Sequence, residues 1–151
     1  MGAAAVSPAP ASGAVPRLPS LRRRAHFERI LAAAPLAQSE HFALHGIAWP
    51  WPPEAETLPR GPGPWLGLVV SRRGARRAVT RNLIKRQARA VAALHPPPPG
   101  AWVLRLKRGW PTSEFPSAAS RALRRAVRAE LMWLLRDRLP QRLAGLKETD
   151  R

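Results

Sequence analysis

The sequence predicts an α+β sandwich, one sheet of three to four strands covered by helices, in the order α-β-β-α-β-α. Three observations predict it. Two segments, 81–94 and 117–136, carry apolar residues at helical spacing, and they are separated by shorter runs with the strand period or a β-rich composition. Prolines at 50–64, 95–100, 111 and 116 punctuate the boundaries between those segments. The chain has 151 residues, 45 % of them hydrophobic, which suits one domain with one core.

Taken in order, residues 1–19 are rich in alanine, proline and serine without periodicity and read as a disordered N-terminal arm. The folded domain is expected over 20–138. "LRRRAHFERILAA" (21–33) forms a short amphipathic helix with Phe27, Ile30 and Leu31 on one side, stopped by Pro35. "HFALHGIAW" (41–49) alternates Phe42 and Leu44 against His41, Ala43 and His45, as a strand does. "PWPPEAETLPRGPGP" (50–64) has too many prolines for a helix or a central strand and reads as a long loop insert. "WLGLVVS" (65–71) is a second strand. A helix follows to about Leu94 and ends before "HPPPPG", because the residue before a proline is driven out of the helical region. "AWVLRLK" (101–107) is a third strand. The last helix is expected from about Ser117 to Arg136, with a stripe of Leu123, Val127, Leu131, Leu134 and Leu135. Residues 139–151 are left as a C-terminal tail, and no internal repeat is visible.

Charge is the outlying property. Twenty-six Lys and Arg against nine Asp and Glu leave a net +17, a field that favours a polyanionic partner. Only Lys85, Lys107 and Lys147 are lysines. Arginine forks bind phosphate through two hydrogen bonds and stack on bases, which suits RNA. Without cysteine there are no disulfides, thiolate nucleophiles or Cys-based zinc sites. No apolar stretch reaches the length of a membrane span, the N-terminus lacks the basic region of a signal peptide, and Val6 stands where a myristoylation motif needs Ser or Thr. A soluble cytoplasmic protein without a membrane partner is expected.

The charge is concentrated in "RRAVTRNLIKRQARAV" (76–91), which holds six Arg and Lys and no acid. At about 100° per residue, Arg81, Asn82, Lys85, Arg86 and Arg89 share an arc of roughly 140°. Leu83, Ile84, Gln87, Ala88, Val91 and Leu94 fill the opposite arc, and Arg72, Arg73, Arg76 and Arg77 extend the charge into the preceding turn. Thr80 is a candidate cap for the helix N-terminus. Solvated helix faces usually mix signs, whereas Arg81, Lys85 and Arg89 form a like-charge i, i+4 series that costs a few tenths of a kcal/mol per pair. Repulsion left uncompensated within the chain points to an external polyanion.

The stretch "GLVVSRRGARRAVTRNLIKRQAR" (67–89) resembles the signature of the bacterial ribonuclease P protein subunit: a strand, a Ser-basic-basic turn, then a helix with an Arg-Asn-Arg core followed by Ile-Lys-Arg and a further Arg. Here these are Ser71, Arg72 and Arg73, then Arg81 and Asn82, then Ile84, Lys85, Arg86 and Arg89, with Leu83 in place of the core's third arginine and Ala90 where an acid or amide is common. The resemblance extends more weakly over 18–137, where "LRRRAHFERIL", "HFALHGI" and "WVLRLKRG" are similar to the family's first helix, first strand and third strand. The loop at 50–64 and the N-terminal arm are additions.

The resemblance implies a left-handed βαβ crossover, against the usual right-handed preference. It implies a partner, the catalytic ribonuclease P RNA, and a substrate, precursor tRNA, whose 5′ leader is removed. Magnesium ions (Mg2+) held mainly by the RNA subunit and substrate would carry the chemistry, leaving the protein without catalytic or metal-ligating residues. Arg72, Arg73, Arg76, Arg77, Arg81 and Asn82 would contact the RNA subunit. Lys85, Arg86 and Arg89 would meet phosphates toward the cleft. Phe27, Leu31 and His45 would line the leader cleft, Leu31 standing where Phe is common and His45 where Tyr is common. A monomer, one per RNA subunit, is expected.

Three other readings compete. A self-sufficient two-metal nuclease needs converging carboxylates. The acids here are scattered, and the adjacent pair, Glu54 and Glu56, sits in the proline-rich loop. His41 and His45 have metal-ligand spacing only if helical. A ribosomal-type structural RNA-binding protein fits the composition equally, and only the 67–89 motif separates it. A DNA-binding helix-turn-helix is disfavoured because a strand precedes the basic helix.

Overall fold

The computed structural model describes residues 16–52 and 57–149; most of the expected disordered arm, and Glu54 and Glu56, lie outside the described residues. The elements are α1 (Arg24–Leu31), β1 (Ala37–Gln38), β2 (Phe42–Ala48), β3 (Trp65–Val69), α2 (Ala78–Leu94), β4 (Gly100–Leu106), α3 (Arg121–Met132), a π-helical segment (Trp133–Arg138) and α4 (Leu139–Thr149). The four strands lie in the order β1-β2-β4-β3. β2 is antiparallel to β1 and β4, while β3 and β4 are parallel and joined through α2. The α+β architecture with a four-stranded sheet is the one expected, with the two-residue β1 added at the edge.

Strand alternation divides the core. On one face Phe42, Leu44, Leu66, Trp102, Leu104 and Leu106 pack with Leu83, Ile84, Ala88 and Val91 of α2 and with Leu123, Val127 and Leu131 of α3. Burying each of these Leu, Ile, Val and Phe side chains is worth about 1.5–3 kcal/mol. On the other face Ala101 and Val103 form a smaller cluster with Leu21, Ile30 and Leu58, with Phe27 and Leu31 of α1 at its margin. Register forces one glycine. Gly46 lies opposite Trp102, and a Cβ there would stand 2.1 Å from the buried indole.

Several boundaries differ from expectation. The end of the arm is folded: Leu18 packs on the main core, and the Leu66 N–H donates to the Pro19 carbonyl at 2.9 Å. Thr80 does not cap α2. Arg77 holds the cap position without a side-chain bond, and the Thr80 hydroxyl donates to the Ala118 carbonyl at 2.6 Å. The last helix starts at Arg121 rather than Ser117, because the Ser120 hydroxyl accepts the Leu123 N–H at 3.0 Å and fixes the start. Nor does it stop near Arg136. The residues expected as a tail form α4, drawn in by Leu139, which is 2 % exposed, and by Leu143. Pro140 sits in the first turn of α4, directly after the wide π-helical turn, a place where its ring and missing N–H are tolerated. Leu94, placed on the apolar arc, is 44 % exposed at the last residue of α2.

One polar clamp ties the sheet edge to α3. Glu130 accepts the Ser39 hydroxyl, the His41 backbone N–H at 2.7 Å and His41 Nδ1 at 2.6 Å, and the imidazole stacks on Trp110 with centroids 3.9 Å apart. His41 is thereby committed to α3, whereas His45 turns to α1.

Candidate nucleic-acid interface

The basic surface begins where β3 ends. The Ser71 carbonyl accepts the Ala75 N–H at 3.0 Å and its hydroxyl accepts the Gly74 N–H at 3.3 Å, closing a tight turn that carries Arg72 and Arg73 outward. Ala75 is buried beneath the turn. In α2 the apolar arc is spent on the core, with Leu83, Ile84, Ala88, Val91 and Ala92 buried. Arg76, Arg77, Asn82 and Arg86 are exposed, and Arg81, Lys85 and Arg89 are half-buried. The sequence-predicted cations therefore lie together on one strand–turn–helix unit.

They are not equivalent. The Arg81 guanidinium folds back and donates to the carbonyls of Ala75 at 2.9 Å and Arg76 at 2.8 Å, so it braces the turn. Arg77 donates to the Pro116 carbonyl at 3.1 Å. The side chains of Arg72, Arg73, Arg76, Asn82, Lys85, Arg86 and Arg89 make no hydrogen bond or ion pair among the described residues. The ion pairs found there are Arg24–Glu28, His41–Glu130 and Arg136–Asp137, all away from this surface. A surface of unneutralised guanidinium forks is a phosphate-binding surface in waiting.

Sequence reasoning missed neighbours that enlarge it. A groove of about 500 Å³ between α2 and α3 is lined by Asn82, Arg86, Gln87 and Arg124, and Arg128 donates to Gln87 Oε1 at 3.3 Å. Arg17, from the segment read as disordered, joins Arg86 and Arg89 around a depression of about 300 Å³. The signal for the α3 neighbours in the sequence is Arg121, Arg124, Arg125 and Arg128, which recur at helical spacing beside the apolar stripe of the last helix.

The three residues expected in a leader cleft lie on the opposite face of the sheet, between α1 and the strands. Phe27 is half-buried with its ring seated over Gly67, where a Cβ would come within 2.6 Å of the ring. Leu31 is half-buried in the same cluster. His45 is 4 % exposed, and its ring is closed off: Nδ1–H donates to the Ala33 carbonyl at 2.9 Å, and Nε2 accepts from Arg105 Nε at 3.5 Å. Burial lowers the His45 pKa from its ordinary value and the Arg105 charge lowers it further, against an opposing pull from the Ala33 carbonyl. The imidazole is neutral at pH 7 and serves the turn after α1 as a hydrogen-bonded support. Phe27 and Leu31 keep some open surface, and His45 keeps almost none.

The candidate cation cluster among the described residues is Glu40, His41 and Glu130. Glu130 already receives three hydrogen bonds there, from Ser39 and His41, which leaves Glu40 as the uncommitted carboxylate, too few free oxygens for a hard, oxygen-seeking magnesium ion. No helix among the described residues is long and apolar enough to cross a membrane.

A family model for ribonuclease P matches residues 15–129. The ribonuclease P protein component of Paraburkholderia xenovorans is 32 % identical over 127 residues, covering 83 % of this chain and 84 % of that one. The protein of the same name from Ralstonia pickettii is 34 % identical over 124 residues, covering 80 % and 79 %. Among solved structures, the ribonuclease P protein of Staphylococcus aureus superposes with a TM-score of 0.54 at 17 % identity, covering 78 % of this chain and 92 % of that one. That likeness speaks for the fold alone.

Proposed function

Because the chain belongs to the bacterial ribonuclease P protein component family, we propose that it binds the catalytic RNA subunit of ribonuclease P and the 5′ leader of precursor tRNA, and so assists endonucleolytic 5′ maturation of tRNA. The observation that carries this reading is the folded 67–89 unit: β3, the Ser71–Arg73 turn and α2 present the signature cations together, and none of them is in an ion pair among the described residues. Arg72, Arg73, Arg76 and the neighbouring Asn82 engage the RNA subunit, and Arg86, expected toward the cleft, is assigned with them because it lines the α2–α3 groove beside Asn82; counterions are released as phosphates are neutralised. Arg81 and Arg77 contribute by holding the turn in shape as well as by charge. Lys85 and Arg89 meet phosphates of either RNA.

The protein's part is to bind, orient and lower electrostatic repulsion between two polyanions, its own carboxylates being scattered or engaged. Magnesium held by the RNA subunit and substrate would activate the attacking water and stabilise the leaving oxygen. The chain acts in the cytoplasm as a monomer, one per RNA subunit, without membrane or DNA partners. The test is reconstitution: purified protein added to ribonuclease P RNA and precursor tRNA at low magnesium. Cleavage should require both RNA and protein. Reproducible metal-dependent cutting by RNA-free protein, or no stimulation of the RNA, would contradict it.

A further inference from the structure

An open groove of about 980 Å³ lies at the N-terminal end of α1, where the proline-rich insert returns to the sheet. Its walls include Trp49, Trp51 and Trp65, with Arg22, Arg23 and Arg60 around them. We propose that this groove is a second binding site for unpaired nucleotides, taking the part of a precursor leader that lies beyond the α1 cleft. The inference rests on the leader-binding reading above.

The walls are built rather than incidental. Trp65 Nε1–H donates to the Gly61 carbonyl at 3.0 Å, fixing one indole to the insert. Buried Leu58 and the Gly100 N–H, donating to the Pro62 carbonyl at 2.8 Å, hold the insert on the sheet. Trp49 and Trp51 meet edge to face with centroids 4.8 Å apart, and Trp49 is 38 % exposed. An aromatic face left open beside a rigid partner is a stacking platform, usable by any base.

The charge selects the occupant. The side chains of Arg22, Arg23 and Arg60 are exposed and make no hydrogen bond or ion pair among the described residues, and no described acid lines the groove. His26, at the groove wall, has its pKa lowered by burial and by Arg23, so it adds no cation at pH 7. Indole faces interleaved with free guanidinium groups match a single-stranded polyanion with bases to stack. Position favours the leader over the RNA subunit. Trp51, Trp65, Leu21 and Leu58 belong to the same apolar cluster as Phe27 and Leu31, so the groove continues the α1 cleft, whereas α2 packs on the opposite face. With His45 closed under α1, the indoles add open aromatic surface to that of Phe27 on this face.

The experiment uses holoenzyme reconstituted with ribonuclease P RNA and precursor tRNAs whose leaders are lengthened one nucleotide at a time. Wild-type affinity should rise again once the leader is long enough to reach the tryptophans. Trp49→Ala with Trp51→Ala should remove that second gain, about tenfold in affinity, and leave short-leader affinity unchanged, while Trp49→Phe retains most of it. A 4-thiouridine in the distal leader should crosslink to the insert. Three results would overturn the proposal: full long-leader affinity in the double variant, equal loss at every leader length, or no crosslink between the distal leader and the insert. A wild-type holoenzyme that does not prefer leader-bearing to leaderless tRNA would remove the underlying reading and this one with it.

Discussion

The two faces of the sheet are built to different standards. Beneath α2 and α3, long apolar residues from three strands and two helices meet in one continuous core, and the charged residues are pushed to the outer side of the helices. Beneath α1 the core is a small cluster, and Phe27, Leu31, Trp51 and Trp65 are only partly covered. On the function proposed above, the first face separates packing from binding by placing them on opposite sides of a helix. On that same reading the second face makes Phe27 and Leu31 do both, so truncating either disturbs stability and ligand together.

The largest effects should come from the separated face. Trp102→Ala should cost about 3–5 kcal/mol and Leu83→Ala about 2–5 kcal/mol, read from denaturant melts, because both are buried in the main core. The Leu83 variant should bind RNA normally once folded. A Leu83→Ala protein that melts like wild type but loses RNA would reverse the assignment of faces.

Arg86→Ala should do the converse. Its side chain is exposed and unpaired, so melting should be unchanged, and the log–log salt dependence of RNA-subunit binding should flatten by about one unit. It is a cleaner probe than Arg81, whose loss also releases the Ala75 and Arg76 carbonyls.

Phe27→Ala should cost about 1–3 kcal/mol of preference for precursor over mature tRNA if the ring stacks on the leader. A smaller loss of stability should accompany it, because the ring also covers Gly67. A loss confined to stability would show that Phe27 only packs.

The smallest effect concerns pH. The folded His45 pKa lies below its ordinary 6.5, so its contribution to stability is full above about pH 6.5 and is lost as pH falls toward the folded value. His45→Gln should make stability between neutral and mildly acid pH less steep. An unchanged pH profile would show that His26, lowered by burial and Arg23, carries the dependence.

Much of the first face was legible in the sequence, because amphipathic periodicity reports packing directly: Leu83, Ile84, Val91, Leu123, Val127 and Leu131 were all read as apolar-face residues and are all buried. Helix ends were harder. Ser120 competes with Ser117 for a cap, Thr80 finds a distant carbonyl, and Pro140 reads as a stop unless a wider turn absorbs it. The second face was least legible, since its surroundings come from non-local contacts. The closure of His45 depends on the Ala33 carbonyl twelve residues away and on Arg105 in another strand. The tryptophan groove depends on how a proline-rich insert returns to the sheet, which no local pattern encodes.

That the two faces divide the binding between them is tested most directly by titrating three proteins, wild type, Arg86→Ala and Phe27→Ala, against two ligands: the ribonuclease P RNA, and precursor versus leaderless tRNA once the holoenzyme is formed. Arg86→Ala should weaken RNA-subunit binding and leave the precursor preference intact, while Phe27→Ala does the reverse. Equal losses of both ligands in both variants would contradict the division.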